Sequence, residues 1–540
     1  MRITIFIPAL RSEERFQNDL LRKLDGISLI QRAINKAQVL SDLNSTVHVL
    51  TDSEEVALVA SRNNVKFFFQ PGLILNEFDL SSATKQYLLA AERGGKVCLV
   101  LSPYAPLLEP DVVRQALKVF AQGEASVLKP ARVIFRRVFD WQKGNVPEKS
   151  VITRSEDREV ESLAFTIYQP GLPAHDEKSR GSAKIFRMAE GAFEIETIRD
   201  WWVCEKLLQR KRIVFRVIGN QQVGTGHISR SLSLAHALTN HEALFVTDVD
   251  NDIVVRELIG SEYWTGAYPR AELIDRIIDL SPDLVIFDAL DTDESTINRL
   301  KRNEIKVVSF EDLGKGSKFT NLTINELYDL PQAFGGNYLW GKEYFFVRDE
   351  FLDAQPREFE TGVTRLLLTF GGVDQHDLSR RIYESIRPIC KKLGIEVQIV
   401  TGPGYKGYKR LCDDLEEDPM VKITHATGVI SGIMENASIA IASNGRTCYE
   451  LAHMNIPSII ISQHAREGTH HFSSEENGFI NLGQYQAGIT EEKVDEALAE
   501  LIGNDVLRRK MYEKLVPHNF SSTKAVVIKK IEAVLESPEL

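Results

Sequence analysis

"RVIGNQQVGTGHISRSLSLAHAL", residues 216–238, decides how the chain is read. It ends an apolar run at residues 213–218 and crosses a loop holding Gly224 and Gly226. It sets His227 directly after them and passes at once into a helical pattern. Open α/β sheets hold their ligands at such junctions, outside the carboxyl ends of the strands. Glycines let backbone N–H groups close on a phosphate, and a helix N-terminus adds positive potential. His227 is the side chain here that can take up a proton near neutral pH. Taken alone, GxGH reads more readily as a helix-capping histidine after turn glycines, so the rest of the chain has to weigh in.

The junction recurs. Short Val/Ile/Leu runs at residues 3–7, 47–51, 97–101, 213–218, 244–247, 284–287, 307–310, 366–370, 397–401, 439–442 and 458–461 alternate with amphipathic helical patterns. Continuous apolar strands separated by helices predict parallel sheets covered on both faces. The alternation breaks over about residues 133–187, which are rich in charge, glycine and proline, and again over 337–364. A Trp- and Leu-rich helix at 198–209 and the basic Arg210-Lys211-Arg212 precede the second series. The expectation is three α/β units, 1–210, 211–365 and 366–540, the last two similar in size and in tandem.

A chain of 540 residues exceeds one hydrophobic core. Its net charge of −11 argues against non-specific nucleic-acid binding. The five cysteines form no CxxC pair, so neither zinc nor a disulfide framework is signalled, and reduced thiols in a cytoplasm are expected. The opening run reads as a strand and turn rather than a secretion leader. No apolar stretch approaches the roughly 20 residues of a membrane span.

Two later stretches repeat the chemistry of the first. Gly371-Gly372 follows a strand, and "SNGRTCYE" at 443–450 is another strand–loop–helix junction. Together with the opening stretch, they closely resemble the UDP-sugar hydrolases of pseudaminic acid biosynthesis. Arg216, Gly219, Gly224, Gly226, His227 and Arg230 match that family's signature, with Ile218 where the family has Asp. "DLVIFDALD" (283–291), "VVSFEDL" (307–313), "YLWGKEYFFVRDEF" (338–351), "LLLTFGGVD" (366–374) and "ASIAIASNGRTCYELAHMNIPSIII" (437–461) follow in the family's order, so the resemblance covers about residues 211–540.

The resemblance implies a two-domain GT-B fold that needs no cofactor. It implies hydrolysis of a UDP-sugar, with C–O cleavage and inversion at the anomeric carbon. His227 would be the base for water, on the face opposite the departing UDP. Gly371 and Gly372 would approach the diphosphate. Ser443, Asn444 and Gly445 would offer hydroxyl, amide and backbone donors to phosphate or uracil. Arg446 would assist UDP departure, Glu450 would hold the ribose hydroxyls, and Gln463 would stand where related enzymes hold the sugar. Arg216 and Arg230 join the site through the motif. A glycosyltransferase would use the same site with an acceptor hydroxyl in place of water. His470-His471 read as non-ligands, because adjacent helical histidines point apart.

In residues 1–210, "ITIFIPALRSEERFQNDLLRKLDGISLIQRAI" (3–34), "VLTDSEEVALVASRNNVKFFFQPG" (49–72), "VLSPYAPLLEPDVVRQAL" (100–117) and "FEIETIRDWWVCEKLL" (193–208) resemble the cytidylyltransferases that make CMP-activated nonulosonic acids. The loop at 10–19 has lost that family's glycines. Glu13, Glu14 and Asp19 put negative charge where a triphosphate would lie, and Arg11, Arg15 and Lys23 remain for phosphate. Glu194 and Glu196 alternate on an extended segment. They could hold magnesium, or they are a surface acidic pair.

The reading is therefore a nucleotide-sugar-processing enzyme of nonulosonic acid or surface-glycan biosynthesis, fused to a degenerate cytidylyltransferase-like Rossmann-type domain through which it could oligomerise. A UDP-sugar is the expected partner, joined by CTP and a nonulosonic acid if the first domain still turns over. The alternatives are a glycosyltransferase, a bifunctional hydrolase and cytidylyltransferase, and a non-catalytic sugar-nucleotide-binding protein.

Overall fold

The apolar runs become the inner strands of three sheets in a computed structural model. It describes residues 3–538 except 12–13, 42–44, 72–96, 124, 135–157, 170–182, 189–192, 220–223, 252–258, 260–261, 333–334 and 416–417. The chain divides into two compact units, Met1–Arg210 and Lys211–Leu540.

In the first unit the parallel strands Lys66–Phe69, Thr46–Thr51, Ile3–Pro8 and Val97–Leu101 lie side by side in that order. This Rossmann-type core extends into Phe165–Tyr168, which runs antiparallel to both Val97–Leu101 and Val127–Ile134, and ends at Ala183–Arg187, which pairs parallel with Val127–Ile134. Arg158–Glu161 pairs antiparallel with Val127–Ile134. Three strands thus lie inside the stretch where the sequence pattern breaks. The pattern missed them because Phe165–Tyr168 alternates buried and half-buried residues, and Ala183–Arg187 is largely exposed. Such strands lack the continuous apolar run of a doubly covered parallel strand. The helix Ile198–Leu208 starts in a Thr197/Asp200 capping box and buries Trp201 and Cys204 in the core.

The second unit contains two all-parallel sheets. The first runs Thr265–Tyr268, Glu242–Asp248, Arg212–Val217, Leu284–Asp288, Lys306–Phe310, Leu322–Asn325, Tyr338–Trp340. The second runs Val421–His425, Glu396–Thr401, Arg365–Thr369, Ile439–Ser443, Ser458–Ser462, Phe479–Gln484. In each, chain order reverses between the first and fourth strands met along the sequence. That reversal opens a crevice at the carboxyl edge. The crevices fall between Arg212–Val217 and Leu284–Asp288 in one sheet, and between Arg365–Thr369 and Ile439–Ser443 in the other. Two such sheets lining one cavity give the GT-B arrangement.

The last helix, Thr523–Glu536, packs back on the first sheet rather than the second. Val527, Ile531 and Leu535 share a core with Ile213, Phe215, Ile286, Val308 and Phe310, and Lys306 Nζ donates to the Leu535 carbonyl at 2.9 Å. Ile531→Ala should therefore destabilise the first sheet by about 2–5 kcal/mol, the usual cost of truncating a buried aliphatic side chain. Hydrogen exchange on the Arg212–Val217 and Lys306–Phe310 strands checks this; unchanged protection would place the helix outside that core.

Candidate functional site

A cavity of about 750 Å³ lies between the two sheets of the second unit. It is lined from one side by Gly224–His227 and Glu311, and from the other by Gly371–Gly372, Ser443 and the start of the helix Arg446–His453. Gly224 has φ +75°, which glycine adopts without strain. A side chain at Gly372 would come within 2.9 Å of Thr225, so only glycine lets the two loops approach this closely.

Helical spacing builds the histidine's surroundings. His227, Arg230 and Ser231 stand at i, i+3 and i+4 of the helix Gly226–Ala237 and share one face. All three meet Asp288, which ends the neighbouring strand opposite Val217. His227 Nδ1 lies 2.6 Å from Asp288 Oδ1, Arg230 Nε donates to Oδ2 at 2.9 Å, and Ser231 Oγ donates to Oδ2 at 3.0 Å. Burial opposes charge on Asp288, but Arg230 and His227 override it and hold the carboxyl well below the usual range. An ionised Asp288 can only accept, which assigns the proton to Nδ1 and leaves Nε2 of the neutral ring as the acceptor.

Arg230 also bonds Glu311 and donates to Glu326 Oε1 at 2.9 Å. Asp288, Glu311 and Glu326 stand at or just past the ends of three adjacent strands, and one fully buried guanidinium joins them. Glu311 sits in a left-handed backbone conformation, φ +50°, the kind of local strain that collects at functional sites. Burial alone would raise its carboxyl, but Arg230 and the two histidines nearby bring it down to about 2.

The cavity's arginines are already paired. Arg348 Nε donates to Glu450 Oε1 at 2.9 Å; Arg446 bonds Glu326 and the Phe346 carbonyl; Arg466 reaches Asp291 at 3.1 Å and the Glu311 carbonyl. Among the described residues no lysine lines the cavity. Phosphate would therefore be met mainly by backbone N–H groups and helix termini.

Of the residues expected from the sequence, Gly224, Gly226, His227, Gly371, Gly372, Ser443, Gly445, Arg446, Glu450 and Gln463 all line the cavity. Three others do not. Arg216 is buried against Asp248, at 2.8 Å, and the Val217 carbonyl. Arg230 lies beneath the cavity among its carboxylates. The Asn444 amide donates to Ser462 Oγ, the Glu467 carbonyl and the His470 carbonyl, and its oxygen accepts from Ser473, so no donor remains for a nucleotide. The side chain of Gln463 is likewise taken up: it donates to the Phe370 carbonyl at 2.8 Å and accepts from Gln375 N–H, bracing the Gly371-Gly372 loop. The structure adds Glu467 and His470 to the lining. His470 and His471 are not on a helix; His470 is buried with Nδ1 3.0 Å from the Asn444 carbonyl, and His471 is exposed.

No protein-family model matches the chain. An uncharacterised protein of Methanocaldococcus jannaschii is 24% identical over 264 residues, 45% of this chain and 54% of its own length. This chain thus spans about half of that relative. The spore coat polysaccharide biosynthesis protein SpsG of Bacillus subtilis is 24% identical over 259 residues, 45% of this chain and 75% of its own. Among solved structures, MurG of Acinetobacter baumannii aligns with 60% of this chain and 99% of its own, at 14% identity and a TM-score of 0.44. A CMP:2-keto-3-deoxy-manno-octonic acid synthetase complexed with CTP aligns with 39% of this chain and 99% of its own, at 15% identity and a TM-score of 0.31.

In the first unit, Asp19 does not face a ligand. It is fully buried and accepts from Arg15 N–H at 2.6 Å, Phe16 N–H at 3.3 Å and the Tyr104 hydroxyl at 3.1 Å, folding the loop it belongs to. Glu14 accepts from Asn18 N–H, and Glu13 lies outside the described residues. Arg11 pairs with Glu55 at 3.0 Å, Arg15 lies over the Tyr104 ring, and Lys23 is exposed. Glu194 and Glu196 flank the fully buried Ile195, as an extended segment requires. Glu194 is bonded by Ser162, Glu196 is exposed, and no group of three or more ligating side chains able to hold a metal occurs among the described residues. The pair alone is not a cation cage.

Glu467 gives the cavity a measurable signature. Its carboxyl is largely buried, and burial pushes it up to about 7 against the backbone bonds it accepts from Gln463 and Asn444. The folded protein therefore holds this proton more tightly than the unfolded chain, so stability falls as pH rises from about 4.5 to about 7. Glu467→Gln, which cannot ionise, should gain on the parent across that window. Melting temperatures of the two proteins at pH 4.5 and pH 8 check this; an equal difference at both would show the carboxyl to be ordinary.

Proposed function

We propose that the second unit binds a UDP-sugar in the cavity between its sheets and cleaves the glycosyl–phosphate bond, with His227 as the base for the attacking hydroxyl. The observation that carries the reading is the His227–Asp288 pair, set at the start of a helix across the cavity from two glycine- and hydroxyl-bearing strand–helix junctions. Backbone N–H groups at Gly371-Gly372 and at the start of the helix Arg446–His453 would receive the diphosphate, and Glu450 the ribose. Water would approach the anomeric carbon from the His227 side, pass its proton to Nε2 and displace UDP with inversion. The sequence resemblance supports water rather than an acceptor hydroxyl, and so a hydrolase. The similarity to a spore coat polysaccharide biosynthesis protein supports a place in surface-glycan assembly.

The first unit has a nucleotidyltransferase-like fold, and we assign it CTP and a nonulosonic acid only as the ligands its sequence resembles a site for. The loss of loop glycines supports a degenerate domain.

His227→Asn should lower release of UDP from the UDP-sugar that the parent hydrolyses by roughly a hundredfold, the scale of general-base loss. UDP affinity by calorimetry should hardly change, because the nucleotide is gripped by the other sheet. Parental turnover would make the histidine structural.

Glu450→Ala, by contrast, should weaken UDP binding by tenfold or more, roughly the worth of a hydrogen bond to a charged group. Unchanged affinity would remove Glu450 from the nucleotide site.

A further inference from the structure

We propose that Glu326 is a positioning residue that ties the nucleotide side of the cavity to the acid–base histidine; this rests on the UDP-sugar reading above. Glu326 follows the Leu322–Asn325 strand and is completely buried. One of its oxygens, Oε1, accepts from both Arg230, at 2.9 Å, and Arg446. Arg446 opens the helix whose N-terminus lines the cavity in the second sheet, and it is fixed further by the Phe346 carbonyl at 2.7 Å and the Phe345 ring at 4.6 Å. Arg230 grips Asp288, and Asp288 orients His227. The line Arg446–Glu326–Arg230–Asp288–His227 is continuous and crosses from one sheet to the other through a single carboxylate oxygen.

Such a line resists being broken at one link. The other oxygen of Glu326 is buried without a hydrogen-bond partner, so drawing Arg446 away would leave this carboxylate held by Arg230 alone. A phosphate that pulls the helix start by a few tenths of an ångström would therefore move Glu326, and Arg230 with it. Removing the charge of Glu326 should free the two sheets to respond separately.

The test uses the full chain carrying ¹⁵N-labelled histidine, with the His227 signal assigned from its absence in His227→Asn. In the parent, UDP should shift the His227 ring resonances. In Glu326→Gln, calorimetry should find UDP still bound within about threefold, the His227 shift should largely vanish, and kcat should fall roughly tenfold with little change in KM, within the ordinary range of coupling between sites. A merely structural glutamate would lower the melting temperature and leave the His227 response intact, which would overturn the proposal. If Glu326→Gln does not fold, Arg446→Lys, which keeps the charge but not the two-sided grip, should show the same loss of response; a full response there would also overturn it. No heat from UDP with the parent protein would instead defeat the nucleotide reading, and the proposal with it.

Discussion

Arg230 is the interaction on which the rest of the site depends. Its guanidinium is wholly buried and bonds carboxylates at the ends of three neighbouring strands, with the face of Phe310 4.9 Å away. A lone carboxylate in that position would be costly, and three would be far more so. One planar donor with five N–H groups meets their geometry, which an ammonium group could not. By holding Asp288 ionised, Arg230 also settles which nitrogen of His227 carries the proton. The chemistry at the cavity wall is thus set one layer beneath it.

The same dependence explains what the sequence made legible. The glycine loop, His227 and the Gly371-Gly372 and 443–450 junctions are local: each is a strand, a turn and a helix in consecutive residues, and periodicity and residue type find them. The parallel sheets were equally open to reading, because doubly covered strands are continuous apolar runs. Asp288, Glu311 and Glu326 were not, because they lie 58, 81 and 96 residues from Arg230 and each ends a strand like any other acidic turn residue. Their common partner appears only when three strands lie side by side.

The misread residues follow the same rule. Arg216 belongs to a signature, but its side chain finds Asp248 at the end of the adjacent strand before it could reach a ligand. Asn444 sits in the most ligand-like tetrapeptide of the chain, yet the segment from Ser462 to Ser473 folds over it and uses every donor and acceptor of its amide. Asp19 was read as a charge opposed to phosphate. Two backbone N–H groups and a tyrosine hydroxyl make it the internal brace of its loop. A motif states which residue types are present; it does not say which of them have already been satisfied from elsewhere in the chain.

This difference bears on how the cavity meets a dianionic ligand. Arg348, Arg446 and Arg466 all border it, and each is held by a carboxylate or carbonyl of the protein. Bound in this way they stabilise the shape of the cavity more than they add free positive charge to it. The remaining sources of positive potential are the oriented N–H groups of the glycine loops and the helix Arg446–His453. Those groups are fixed by the fold, so little reorganisation would be needed if, as proposed, charge develops on a departing diphosphate. A cavity organised this way would discriminate by position rather than by net charge, while its arginines pair with carboxylates and carbonyls, and Arg446 and Arg466 do so across the two sheets.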